Sequence, residues 1–240
     1  KAPPDGYTLY VSGNSIWIAP LLQKTPYDAV RDFSPITVIV REVSVVAVHP
    51  SLPVKSIQEL IALAKARPGA LNYGSASTGS LAHFQGELFK SMAGVNVEVV
   101  QYKGAAPAIT ALISGEVQLA ILDTRLVAPH VKSGKLRALA VTSASPSALD
   151  PGLPTVSASG VPGYEAIGMT SILAPAKTPA AIVNRLHQEI VRALNLPDVK
   201  EKFLSAGAET VGSSPEQFAA TIKSEIAKWD KVIRDTGIKL

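Results

Sequence analysis

Short apolar runs rich in β-branched residues alternate, up to about residue 145, with stretches whose apolar positions recur every three or four residues. Residues 7–12, 36–40, 43–48, 71–73, 95–102, 117–122 and 136–142 read as strands. Helices are expected over 16–23, 56–67, 80–93 and 106–114, with one more ending at Lys132. Ser56 and Glu59 form a capping box, in which the serine accepts from the third helical amide. Gly94 and Gly115 stand where a left-handed residue closes a helix. Strands alternating with helices of about 10–15 residues indicate βαβ units and a parallel sheet covered on both faces.

Periodicity is lost over 143–165, a loop or linker rich in Ser, Pro, Gly and Ala. Residues 168–174 read as one more strand, and everything beyond as helical. Thr178-Pro179 is an expected N-cap followed by Pro at the first helical position. A helix over 198–205 closes at Gly207, and Ser214-Pro215-Glu216-Gln217 opens the last one with a second capping box. There Phe218, Ile222, Ile226, Trp229 and Ile233 form one apolar stripe.

The 240 residues fit one large domain or two small ones, and 47% apolar against 18% charged residues suffices for a sizeable core. Aromatics at 5% disfavour a base-stacking nucleic-acid platform. The net charge of +4 comes without a dense Lys/Arg run, so nucleic acid is not an expected partner. With no cysteine, disulfides, thiolate nucleophiles and Cys-ligated zinc are excluded, while the compartment is left open. No apolar stretch reaches the ~18 residues needed to span a membrane.

The most suggestive local chemistry lies in Tyr73-Gly74-Ser75-Ala76-Ser77-Thr78-Gly79-Ser80, between a strand and a helix. Free amides at a helix start, glycines that allow close approach and hydroxyl donors together suit an anion. A tight turn with ordinary capping is the plainer reading. Gly74 and Gly79 have P-loop spacing, but Ser80 stands where that motif needs lysine. They are also one residue too far apart for a nucleophile elbow. Ser80, His83 and Asp123 could be assembled into a triad only on paper. His49, His83, His130 and His187 show no metal-ligand spacing, and His83 reads as a packing residue. Asp123 ends a predicted strand, where it could hold a ligand or cap the next helix. Ser12-Gly13-Asn14-Ser15 follows the first strand with the same two readings.

Six phrases occur in an order that resembles one family. They are Ala2-Pro3-Pro4-Asp5-Gly6-Tyr7-Thr8-Leu9; Pro26-Tyr27-Asp28 with Asp32-Phe33 and Pro35; and Tyr73-Gly74-Ser75 through His83 and Gly86-Glu87-Leu88-Phe89. Tyr102-Lys103-Gly104 with Pro107-Ala108, then Pro129-His130-Val131-Lys132-Ser133-Gly134-Lys135, and Ala174-Pro175 with Thr178-Pro179 follow. Together they are similar to the Bug substrate-binding proteins of tripartite tricarboxylate transporters.

The resemblance implies an α/β protein of the type II periplasmic-binding-protein fold. It would have two lobes of mostly parallel sheets flanked by helices, joined by two crossover strands near 43–49 and 171–175. The first lobe would hold 1–48 and 172–240, the second 49–171. It further implies a monomeric periplasmic receptor, not an enzyme and without a cofactor. Such a receptor takes a small di- or tricarboxylate, aromatic acid or amino acid in the interlobe cleft and passes it to the membrane components of a transporter. Carried over by motif, the carboxylate would meet Ser75, Ser77, Thr78, Gly79 and Ser80, with Gly104 and Ala105 at the next strand end. Ser12, Asn14 and Ser15 would lie opposite. Ser77 stands where many members have Gly, and Asp123 lies one residue after a frequent acidic position held here by Leu122. Met169-Thr170 replaces a common aromatic pair beside the return strand and would reshape the pocket. Members also carry a further N-terminal segment with a strand and a carboxylate-binding loop, so the first lobe is expected to be shortened at its front. Two other classes compete: an effector-binding regulatory domain of the same fold, which needs a DNA-binding segment, and a hydrolase using Ser80 and His83.

Overall fold

The computed structural model describes residues 2–238, and its strands fall into two sheets, one in each of two units. The first unit runs through Glu42 and resumes over Gly168–Arg234, whereas the second is Val43–Ile167 together with the residues from Asp235. In chain order the elements are β1 (Tyr10–Ser12), α1 (Ser15–Leu22), β2 (Phe33–Glu42), β3 (Ser44–Val48) and α2 (Ile57–Ala66). Next come β4 (Asn72–Ser75), α3 (Leu81–Ala93), β5 (Glu98–Gln101), α4 (Ala105–Ser114), β6 (Leu119–Asp123), α5 (Thr124–Lys132) and β7 (Arg137–Val141). The chain closes with β8 (Gly168–Pro175), α6 (Ala180–Leu194), α7 (Pro197–Ser205), β9 (Glu209–Thr210) and α8 (Pro215–Thr236).

The sheet of the second unit has strand order β5-β4-β6-β3-β7. β4 is parallel to β5 and β6, and β3 is antiparallel to β6 and β7, so β3 alone opposes the other strands. By strand direction this sheet is mostly parallel, as expected. The first unit's sheet, β1-β8-β2-β9, departs from that expectation, since its ladders are all antiparallel. β8 returns between β1 and β2, separating the two strands that a βαβ reading would join. The chain passes between the units at Glu42/Val43 and Ile167/Gly168. The reason is the ladders: β3 pairs wholly within the second sheet and β8 wholly within the first.

Local signals account for most helix ends. Glu59 N donates to Ser56 Oγ at 3.1 Å, and Gln217 N to Ser214 Oγ at 3.2 Å while Ser214 N donates back to Gln217 Oε1 at 2.9 Å. Gly94 (φ 62°) and Gly115 (φ 80°) close α3 and α4 in the left-handed region. Thr178 departs from its expected role. The turn from Pro175 closes through Thr178 N, the threonine Oγ1 donates to Pro175 O at 2.8 Å, and Pro179 becomes the N-cap of α6. β9 was expected to be helical. It is a two-residue strand without readable period, held by pairing to Val40 and Arg41 and by the Arg41 Nε–Glu209 Oε2 ion pair at 2.5 Å. On α8 the inward positions include Glu225 and Val232, with Ile226 and Ile233 only half-buried. Trp229 Nε1 donates to Glu225 Oε2 at 2.8 Å, one helical turn away, and that bond draws the carboxylate inward.

Each unit has its own core. In the first, Trp17 and Phe218 meet edge to face at 6.2 Å and are fully buried with Ile36, Leu173 and Trp229. In the second, Tyr73, Phe84, Leu112, Leu119 and Ile121 are buried around the central strands. Gln85 of α3 is buried and donates through Nε2 to Ser44 Oγ (3.0 Å) and Ala166 O (2.8 Å), tying the helix to β3 and to the chain before β8. Gln85→Met keeps the volume but removes both bonds, and a buried carbonyl loses its donor. Urea unfolding is expected to show a loss of about 2 kcal/mol, and an unchanged midpoint would refute this role.

Candidate ligand-binding site

β5, β4 and β6 are adjacent and run in one direction, so they end at the same edge of the second sheet. Each passes directly into a helix: β5 into α4, β4 into α3, β6 into α5. Three helix N-termini therefore gather at one edge, where unpaired amides and the positive ends of the helix dipoles favour an anion.

The turn after β4 is built from the residues singled out in the sequence. Ser75 is fully buried, yet its Oγ has no hydrogen-bond partner among the described residues. Ser77 and Thr78 are exposed, and their amides make no backbone hydrogen bond there. Gly79 has φ +74°, a conformation that glycine adopts without steric cost. Its amide is already committed, donating to His83 Nδ1 at 3.2 Å. Ser80 caps α3: its Oγ accepts from His83 N (3.3 Å) and donates to Ser77 O (2.7 Å). The loop is thus pinned at Ser77 O and at Gly79 N, with the amide of Thr78 presented between the pins and that of Ser77 directly before them.

The neighbouring helix start is tied to this loop through Gly104, whose N–H donates to Ala76 O at 2.6 Å. Gly104 has φ +117° and ψ 175°, and as N-cap of α4 it supplies no side-chain acceptor to the first turn beginning at Ala105. At the third helix start, Asp123 Oδ1 accepts from Arg125 N at 2.8 Å and Oδ2 meets Arg125 Nη2 at 3.2 Å. Its carboxylate caps α5 and pairs with that arginine. Thr124, which sequence reasoning did not single out, is buried with its Oγ1 unpartnered among the described residues. Its position directly after a strand ending at this edge is the signal that could have found it.

In the first unit the loop after β1 is closed on itself and on β8. Ser12 is buried, its Oγ donates to Gly13 O (3.2 Å), and its carbonyl accepts from Ser171 Oγ (3.1 Å). Asn14 precedes α1 and does not cap it with its side chain; Oδ1 accepts from Met169 N at 2.7 Å instead. Ser15 is exposed as the first residue of α1. Met169 is buried and Thr170 half-buried on β8, so the expected residues of this unit form one local group.

The geometry does not assemble a hydrolase. Ser80 Oγ faces the His83 amide and Ser77 O rather than the imidazole, and Asp123 is tied to Arg125, so nucleophile, base and orienting acid are not linked. No cluster of three His, Asp or Glu side chains suited to a metal occurs among the described residues. No helix there is long and apolar enough to cross a membrane.

The family model of the tripartite tricarboxylate transporter family receptor, TctC, matches residues 1–238. The chain belongs to this receptor family. Its members are solute-binding receptors rather than enzymes. Among relatives of the receptor, BugT of Bordetella pertussis is 35% identical over 243 residues, which span all of this chain and 74% of BugT. The solved structure of Rpa4515 of R. palustris with adipate is 38% identical, with TM-score 0.78 over 100% of this chain and 81% of that one. MatC (Rpa3494) of Rhodopseudomonas palustris, solved with bound malate, is 26% identical, with TM-score 0.74 over 97% of this chain and 81% of that one.

Proposed function

We propose that this receptor works in the periplasm, capturing a small organic carboxylate at the β5-β4-β6 edge of its second unit and delivering it to the membrane components of a tripartite transporter. The observation that carries the reading is the Ser75 hydroxyl, fully buried and without a partner among the described residues, beside two tied helix N-termini. A buried hydroxyl without a partner costs stability unless a ligand completes it. Fixed amide dipoles and hydroxyls hold a carboxylate without the desolvation cost of a buried Lys or Arg opposite it. The net charge of +4 adds a mild attraction for anions. Relatives solved with adipate and with malate support the same ligand chemistry.

Titration calorimetry with adipate, malate, an aromatic acid and amino acids tests the reading, and binding of none of them would overturn it. Ser75→Ala separates a ligand role from a structural one. Because the hydroxyl has no partner among the described residues, the melting temperature of the variant is expected to hold or rise. The Kd for the bound carboxylate is expected to increase about tenfold or more, as befits a lost hydrogen bond to a charged group. A lowered melting temperature with an unchanged Kd would assign Ser75 to folding alone.

A further inference from the structure

His83 is buried one turn inside α3, and its ring makes a bond that ordinary packing does not require: Nδ1 accepts the Gly79 amide at 3.2 Å. That places the ring proton on Nε2 and makes the neutral imidazole part of the loop's frame. The bond holds Gly79 at φ +74°, and Ser80 Oγ, between His83 N and Ser77 O, holds the other end of the same turn. Between these two pins lies the amide of Thr78, and directly before them that of Ser77; neither makes a backbone hydrogen bond among the described residues.

We propose that His83 is the positioning residue of this loop: its neutral ring fixes the Gly79 amide, and with it the anion-receiving amides, while protonation breaks that bond and weakens capture of the anion. The proposal rests on the carboxylate reading above for its consequence, though not for the bond itself. An imidazolium carries hydrogen on both nitrogens, so Nδ1 can no longer accept from Gly79. Burial disfavours the charged ring, and Lys90 adds to this while Glu87 opposes it, so the ring titrates below the usual histidine range. Lys90 and Glu87 are paired to each other at 3.0 Å. The strands packed on α3 bring Tyr73, whose hydroxyl donates to Ala82 O, and Asp123, which is tied to Arg125. The neutral state, and the fixed loop, therefore hold at neutral pH and are lost on acidification.

The test compares wild type with His83→Asn, which keeps an acceptor near the Nδ1 position on a group that does not titrate. Adipate and malate affinities are measured by calorimetry between about pH 8 and about pH 5. Wild type is expected to lose about tenfold more affinity than His83→Asn over this range, since proton uptake by the probes is common to both proteins. Equal pH dependence in the two proteins would overturn the proposal. Should His83→Asn not fold, the Gly79 amide resonance of ligand-free wild type replaces it. That resonance is expected to shift with the His83 ring titration, and a resonance insensitive to it would refute the clamp. The NMR readout needs no ligand, so binding of neither probe would count against the carboxylate reading and leave the clamp to be decided by Gly79.

Discussion

Gly86→Val is expected to lower the melting temperature by about 6–12 °C, the equivalent of about 3 kcal/mol of overpacking in a chain of this size. Gly86 lies on the buried face of α3, and a Cβ built there would stand 2.5 Å from Tyr73 Cε1 and 2.6 Å from Cζ. The tyrosine cannot swing away. It is 2% exposed, and its hydroxyl donates to Ala82 O on the same helix. Gly86→Ala makes the sign diagnostic. Helix propensity alone predicts that alanine stabilises by about 1 kcal/mol, whereas the Tyr73 contact predicts a net loss. Thermal denaturation of both variants decides, and a more stable Gly86→Ala would show that α3 does not rest on that ring. Movement of α3 would also carry Ser80 and His83, and so the loop they pin.

This contact shows where the sequence stops being readable. Gly86 sits mid-helix with no local reason to be glycine, because the reason is a ring from β4. Signals confined to a few residues were legible: the Ser56 and Ser214 caps, the glycines after α3 and α4, and the hydroxyl-rich turn at 75–80. Signals that depend on a distant partner were not. The two residues of β9 have no period, and only their pairing with β2 makes them a strand. Ile226 looked like a core residue until Trp229 drew Glu225 inward. The insertion of β8 between β1 and β2 is a matter of chain return, which periodicity does not encode. At the site, amide-rich turns could be read as residue types. That Gly79 is spent on His83, that Asp123 is spent on Arg125, and that the Ser75 and Thr124 hydroxyls find no partner among the described residues are facts of geometry.

Gly104→Ala probes the site through the backbone alone. A Cβ at Gly104 would meet nothing within 4 Å, so no clash accompanies the change, in contrast to Gly86. What alanine resists is φ +117° with ψ 175°, a region populated almost only by glycine, at a cost of about 1–3 kcal/mol. If the backbone keeps its shape, that cost appears as lost stability. If it relaxes, the amide that donates to Ala76 O turns, the first turn of α4 moves from the 76–80 loop, and the cost appears in binding. The expected result is a division between the two: a lower unfolding midpoint together with a Kd for adipate or malate raised about tenfold or more. The order of effects is also set. Ser75→Ala removes one donor and spares stability, whereas Gly104→Ala disturbs a whole helix N-terminus and the strand-end contact that aligns it with the next. Denaturation and calorimetry on the same preparation measure both quantities. A Gly104→Ala protein with wild-type stability and wild-type affinity would mean that α4 takes no part in receiving the anion, leaving the turn after β4 to do so with α5 alone.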